Sequence, residues 1–557
     1  MNTYSRKDFL KVTTAGTLGW TLPSLGCGRQ IKEPPNIIVI LADDMGYSDI
    51  GCYGGEIRTP NIDRMAAEGM RFSQFYNAAR CCPTRASLLT GLYPHQAGVG
   101  FMREDLGIPS YRGHLNDRCV TIAEALGNNG YSTAMVGKWH LGKDEGQRPL
   151  DRGFDRYSGL LEGSANYFEP ENRTLMQQNE LLKAVGDDFY MTDFFSREAE
   201  KYVDEYGRRE NPFFMYLAYT APHWPLHAPE EDIEKYLGTY MQGWDALRKQ
   251  RYNRMKEIGL FKRQDWPLTP RAEESPAWNE VEDKEGWDRK MAVYAAMVGR
   301  MDRGIGRVMR KLKELNLDEN TLVMFLSDNG GCAEAIGRNS ETAPGGPDSF
   351  MGYHLPWANA SNTPFRLYKH WVHEGGIATP LVVRWPAGID RQQQNTINHQ
   401  PGHIIDLMAT CLDVSGAEYP QNFDGNAIHP LQGKSLRPCF EGESRESHSY
   451  LYWEHEGNRA IRSGNWKLVS KSYVSWKFLT RFSFTQPHKP GDPEWELYDL
   501  DTDRTELNDL SKKFPEKVKE LAGQYEKWAA ENNVLPWQEY MKQTDIPWLE
   551  SLENIKG

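Results

Sequence analysis

The run Asn36-Ile37-Ile38-Val39-Ile40-Leu41-Ala42 constrains this chain more than any other segment. It follows a Pro34-Pro35 break, and it is continuously apolar and rich in β-branched residues. No polar alternation marks a solvent face, so the strand it predicts must be buried on both sides. Similar runs lie at 213–219, 321–326 and 380–383, and they read as further strands of the same parallel kind. Helical patterns separate them at 61–69 and 121–126, and in the long amphipathic stretch 288–315. Strands alternating with helices predict an α/β fold whose large, mostly parallel central sheet is flanked by helices.

The pattern changes near residue 431. Segments 450–454, 459–462, 466–469 and 496–500 read as short strands with Gly/Asn turns, and 515–531 as a charged amphipathic helix. They predict a smaller antiparallel sheet with one helix packed on it. The stretch 230–287 is charged and Trp-rich without strand pattern, and it reads as a helical excursion over the surface. The resulting division is 1–30, 31–430 for the large α/β domain, and 431–557 for a C-terminal subdomain.

The first of these segments reads as an export signal. Ser5-Arg6-Lys7-Asp8-Phe9-Leu10-Lys11 resembles a twin-arginine signal, with Lys7 where the second arginine belongs. Leu25-Gly26-Cys27 resembles the end of a lipoprotein box, which makes Cys27 a candidate lipid anchor. The expectation is an exported protein, periplasmic or held on the cell envelope as a lipoprotein. No run of about eighteen apolar residues follows, so no transmembrane span is expected.

In open α/β sheets, ligands bind at the carboxyl ends of the strands. Asp43-Asp44 directly follow the first strand, Asp328-Asn329 follow the run at 321–326, and His223 follows the run at 213–219. Three carboxylates and an amide are hard oxygen ligands, which suit Ca²⁺, or Mg²⁺, rather than zinc. Either pair alone is equally an ordinary turn at a strand end. The eight cysteines are too sparse for a disulfide scaffold and form no CxxC pair, so most read as small buried hydrophobes. The balance of 65 Lys+Arg against 77 Asp+Glu argues against a general nucleic-acid partner. An anionic ligand would therefore need a local cationic pocket.

Cys81-Cys82-Pro83-Thr84-Arg85-Ala86-Ser87-Leu88-Leu89-Thr90-Gly91 is the most specific string in the chain. It closely resembles the signature of the type I, formylglycine-dependent sulfatases, which belong to the alkaline phosphatase-like superfamily. Further motifs match in the family's order. They are Leu41-Ala42-Asp43-Asp44-Met45-Gly46-Tyr47, Gly137-Lys138-Trp139-His140-Leu141-Gly142 and Ala221-Pro222-His223-Trp224-Pro225-Leu226, then Ser327-Asp328-Asn329-Gly330-Gly331 and Lys369 ahead of Glu374-Gly375-Gly376. The C-terminal Glu496-Leu497-Tyr498-Asp499-Leu500 also fits. The bacterial arylsulfatases are the nearest branch, because of the segment around His223.

The resemblance implies that a maturation enzyme oxidises Cys81 to formylglycine, whose hydrated aldehyde is the nucleophile. It implies a cation held by Asp43, Asp44, Asp328 and Asn329, together with residue 81. Lys138 and Lys369 would face the sulfate oxygens, and Arg85 would hold the nucleophile and the metal-site carboxylates. His223 would protonate the leaving group, and His140 would take the proton during sulfate release. The implied substrate is a sulfated carbohydrate or another sulfate ester. The alternatives are small aryl sulfates, a phosphonate or phosphodiester, and a catalytically silent glycan-binding protein. For substrate contacts, Glu334, Arg338 and His354 lie in a Gly/Asn-rich loop, and Trp453, Glu454, His455 and Asn458 in the C-terminal sheet. Either group could read sugar hydroxyls.

Overall fold

Asn36–Ala42 forms strand β1 near the middle of an eleven-stranded sheet. The structure is a computed structural model that describes residues 33–170, 175–182, 186, 188–263, 265–338, 341–472, 494–536 and 539. The segment read as an export signal, with Cys27, lies outside the described residues. The other principal strands are β2 (Met70–Tyr76), β3 (Ser132–Gly137), β4 (Arg156–Leu160), β5 (Phe213–Ala218), β6 (Thr321–Ser327) and β7 (Ala378–Arg384). Across the sheet they stand in the order β2-β7-β6-β1-β5-β3-β4. The five strands from β6 to β4 are parallel to one another. Burial of β1, β5 and β6 along almost their whole length explains their uninterrupted apolar sequences.

One strand departs from the expectation. The run at 380–383 lies in β7, which is antiparallel to both β6 and β2. An apolar run records burial on two faces, and burial carries no information about direction. The reversal has a consequence for the site, because it brings the start of β7 to the edge where the parallel strands end.

The helices cover both faces. Among them are α1 (Pro60–Glu68), α2 (Cys81–Thr90) and the 31-residue α3 (Lys284–Glu314), which Asp283 caps through Gly286 N. No helix among the described residues is long and apolar enough to cross a membrane.

The stretch 230–287 contains the helices Glu230–Ile233 and Trp244–Glu257, and it packs more deeply than a surface excursion. Trp244 and Trp266 are fully buried, and the Trp244 ring meets those of Trp278, Trp287 and Trp357 edge-on. Its charges face inward as well. Arg251 Nη1 donates to Asp49 Oδ1 at 2.6 Å and Arg251 Nε to Glu56 Oε2 at 2.7 Å. Charge alone suggested exposure, but here the charges are paired across the fold.

The C-terminal strands β8 (Leu451–His455), β9 (Asn458–Ser463), β10 (Trp466–Ser470) and β11 (Glu496–Asp499) form an antiparallel sheet, with α4 (Pro515–Glu531) packed on it. The β8–β9 hairpin turns through Glu456 and Gly457, both at positive φ (51° and 79°), which matches the right-handed twist of the strands.

This sheet is tied to the large one through buried charges, and from Glu33 onward the chain is one compact unit. Lys467 Nζ lies 3.0 Å from Glu374 Oε1 and 2.8 Å from Glu506 Oε1, while Arg504 Nε donates to Glu374 Oε2 at 3.1 Å. Lys467→Ala removes the ion pair of buried Glu506 and leaves Glu374 with Arg504 alone, so a loss of about 3–5 kcal/mol in folding stability is expected. Urea unfolding measures it, and a loss below about 1 kcal/mol would show that the network does not hold the two sheets together.

Candidate active site

Five strand ends and the start of a sixth strand deliver side chains to one edge. β1 ends at Ala42 and β6 at Ser327, opposite each other in register, so Asp43-Asp44 and Asp328-Asn329 emerge side by side. Asp328 N donates to Ala42 O at 3.1 Å, which fixes their offset. β3 ends at Gly137 and hands on Lys138 and His140, and β5 leads to His223. The chain after β2 turns into α2, which begins with Cys81. The antiparallel β7 completes the set. Its start lies at this edge, so the loop that precedes it brings Lys369 to the same place.

The carboxylates and cations interlock. Lys138 Nζ donates to Asp43 Oδ2 at 2.6 Å, and Arg85 Nη2 to Asp328 Oδ2 at 2.8 Å. Arg85 Nη1 also donates to the Lys138 carbonyl at 2.8 Å. Lys369 Nζ lies 2.8 Å from Asp44 Oδ1, and Asn329 Nδ2 donates to the same oxygen at 2.8 Å. All of these side chains are buried. Burial and the neighbouring Asp43 carboxylate push Asp328 up to about 8. Burial also raises Asp44, but His223 and Lys369 outweigh it and hold that carboxyl below the usual range. Three converging carboxylates thus face three cations, Arg85, Lys138 and Lys369, and share them unevenly.

Cys81 opens α2, where unpaired backbone N–H groups favour an anion. A hydrogen bond from the Cys82 thiol lowers the Cys81 thiol well below its ordinary range, helped by Lys138 and His140 and opposed by burial. A ring nitrogen of His140 lies within 4.8 Å of Cys81 Sγ. Burial brings His140 down to about 3, so its imidazole is neutral. His223 donates from Nδ1 to the Trp224 carbonyl at 2.6 Å, which turns its Nε2 toward Lys369 Nζ, 3.5 Å away. Burial lowers His223 to about 4 with help from Lys369, although Asp44 opposes the shift. Asp44 and His140 both hold positive φ, at 65° and 61°. Such strain in non-glycine residues costs about 1–2 kcal/mol each, and it clusters where function requires it.

The structure therefore brings Cys81, Arg85, Lys138, His140, His223 and Lys369 around Asp43, Asp44, Asp328 and Asn329. The substrate candidates divide. Glu334 borders the cluster. Its Oε1 pairs with Arg80 Nη2 at 3.0 Å and its Oε2 accepts from Trp224 Nε1 at 2.8 Å. Burial raises the Glu334 carboxyl, but Lys369 and Arg80 outweigh it and bring it down to about 2. His455 is fully buried beside His370 and Glu456. His354 is not brought to the cluster, because its Nε2 engages the Ile336 carbonyl at 3.1 Å and its ring meets Trp287. Arg338 lies in a short strand, Gly337–Arg338, and its side chain is outside the described part. In the C-terminal sheet, Trp453 donates to the Asn77 carbonyl and Glu454 pairs with His95, both as packing contacts. Arg80 and Glu456 were missed by sequence reasoning. Only the position of Arg80 beside Cys81 could have signalled it.

The comparisons agree with this geometry. The family profile "Sulfatase" matches residues 35–417, and the profile "N-sulphoglucosamine sulphohydrolase, C-terminal" matches 365–531. An uncharacterised sulfatase of Schizosaccharomyces pombe is 37% identical over 90% of this chain and 95% of its own length. An arylsulfatase of Klebsiella aerogenes is 37% identical over 75% of this chain and 95% of its own. The crystal structure of Ps i-CgsB in complex with k-i-k-neocarrahexaose superposes with a TM-score of 0.63 at 28% identity, covering 90% of this chain and 94% of that one. Five strand ends that collect these acids and cations, on a chain matched by that profile over most of its length, make this protein a member of the sulfatase family and a sulfuric ester hydrolase.

Proposed function

We propose that this sulfatase removes sulfate from a carbohydrate, using formylglycine made from Cys81 and a divalent cation. The observation that carries the reading is the convergence of Cys81, Lys138, His140, His223 and Lys369 on an all-oxygen donor set. That set fits a hard cation. Two of its oxygens, Asp43 Oδ1 and Asn329 Oδ1, are buried without a hydrogen-bond partner among the described residues. Asp43, Asp44, Asp328 and Asn329 would hold Ca²⁺ or Mg²⁺. When bound, the cation supplies Lewis acidity toward a sulfate oxygen, and formylglycine supplies a hydroxyl nucleophile.

The remaining steps belong to the chain's own side chains. Lys138 and Lys369 present ammonium groups where negative charge spreads over sulfate oxygens, in a site from which water is largely excluded. Arg85 anchors Asp328 and the Lys138 carbonyl, which keeps the nucleophile's helix in line with the carboxylates. His223 places Nε2 beside Lys369, where a proton can pass to the departing oxygen. The negative charge of a bound sulfate favours that protonated state against burial. The neutral His140 accepts a proton near residue 81 during sulfate release.

The carbohydrate reading is supported by the polar wall of Arg80, Glu334 and Trp224, and by the oligosaccharide bound in the similar Ps i-CgsB structure. Hydrolysis of small aryl sulfates is the second reading, favoured by the similarity to the Klebsiella arylsulfatase. The test uses protein matured with a formylglycine-generating enzyme. A panel of defined sulfated mono- and oligosaccharides, 4-nitrophenyl sulfate and a phosphate diester is compared by kcat/KM. At least one sugar sulfate is expected to exceed the aryl ester by about tenfold, which corresponds to about 1.4 kcal/mol of extra transition-state contact. A diester turned over faster than every sulfate would remove the sulfate-ester assignment.

A further inference from the structure

The hydrolysis described above leaves one polar cluster beside the site unused. Arg80 immediately precedes Cys81 and caps α2 with extended backbone angles, φ −149° and ψ 153°. One of its nitrogens, Nη2, pairs with Glu334 at 3.0 Å. The other two, Nε and Nη1, are buried and have no hydrogen-bond partner among the described residues. Glu334 in turn accepts from Trp224, whose ring centroid lies 4.6 Å from that of His223. Cys81, Arg80, Glu334, Trp224 and His223 therefore form a continuous wall from the nucleophile to the imidazole on the leaving-group side.

A second carboxylate acts on Arg80 electrostatically. Glu456, at the tip of the β8–β9 turn, lies within electrostatic reach of the guanidinium. Its position is held from behind, since His370 Nδ1 lies 2.8 Å from Glu456 Oε2. Asn458 fixes that imidazole, with Nδ2 3.2 Å from His370 Nε2, while Asn458 Oδ1 accepts from Ser472 N. His370 thus faces Glu456 with its N–H, and the group is a positioned carboxylate rather than a metal site.

We infer that Arg80, with Glu334 and Glu456, is a specificity subsite that reads two neighbouring hydroxyls on the sugar carrying the scissile sulfate. The inference rests on the carbohydrate reading and extends it. One guanidinium paired with Glu334 and within electrostatic reach of Glu456 leaves no net positive charge for a second anionic group. Hydroxyls suit the site, because each can accept from Arg80 and donate to a carboxylate. An unsubstituted aryl leaving group offers neither bond and leaves the guanidinium donors unpaired.

Arg80→Ala and Arg80→Lys test this. The lysine keeps the charge but loses the planar fork. Both variants are assayed on the best sugar sulfate from the panel and on 4-nitrophenyl sulfate, with circular dichroism and Tm as folding controls. The sugar kcat/KM is expected to fall about 100-fold, at least tenfold more than the aryl kcat/KM, with KM rising. Equal losses on both substrates, or a loss on neither, would overturn the subsite while leaving the carbohydrate reading intact. Faster turnover of a sugar bearing a carboxylate or second sulfate in place of the diol would overturn it as well. A wild-type enzyme that turns over no sugar sulfate would overturn both readings together.

Discussion

Cys81→Ala is expected to lower sulfate ester hydrolysis about 10⁴-fold or more, because it deletes the group proposed to attack sulfur. Cys82→Ala is expected to cost less than about tenfold. The two thiols are neighbours in sequence and both are buried, yet their surroundings differ. Cys81 begins α2 and faces Lys138 and His140, whereas burial and the adjacent Cys81 push the Cys82 thiol well up. The position that favours an anion is the one that suits a nucleophile carrying negative charge. Fragment mass spectrometry of the peptide around α2, from matured protein, completes the measurement. A change confined to residue 81 is expected. Modification of residue 82 instead, or an active Cys81→Ala enzyme, would refute the assignment.

Removal of divalent cations is expected to lower activity about 10²–10³-fold, the scale of several kcal/mol of lost charge stabilisation, and added Ca²⁺ or Mg²⁺ is expected to restore it. Asp43→Asn should lose a comparable amount and regain little on adding cation. The substitution keeps shape and removes one negative charge, but it also weakens the partner of Lys138, which lies 2.6 Å away. A stability loss of about 1–3 kcal/mol is therefore expected as well. Comparing Tm of the variant with and without cation separates the two effects. Wild-type stability should rise with cation, and that of the variant should rise less. Full activity after exhaustive chelation would sink the cation reading.

Much of the large sheet was legible because β1, β5 and β6 are buried on both faces and show it in composition. The helix 515–531 was readable to the residue from its amphipathic pattern and from Pro515 at its start. Strands β2, β3 and β4 were not foreseen. β2 carries Arg71, Ser73 and Gln74, and β4 carries Ser158, whose hydroxyl meets Tyr202 and Glu198. Partners so distant in sequence make a buried polar residue indistinguishable from a loop residue. The cluster of Trp244, Trp278, Trp287 and Trp357 was hidden for the same reason, because charged neighbours masked its burial.

By itself, the sequence determined the local facts: which continuous apolar runs are strands, which string resembles the family's signature, and which acids follow strand ends. These depend on neighbours a few residues apart. Tertiary structure alone decided that β7 runs against its neighbours and so brings Lys369 to the site. It also buried Asp43 Oδ1 and Asn329 Oδ1 without a hydrogen-bond partner among the described residues, and it paired Arg80 with Glu334 within electrostatic reach of Glu456, residues far removed along the chain. Direction, desolvation and the meeting of charges depend on distance in space, and chain order does not encode that distance in any short motif.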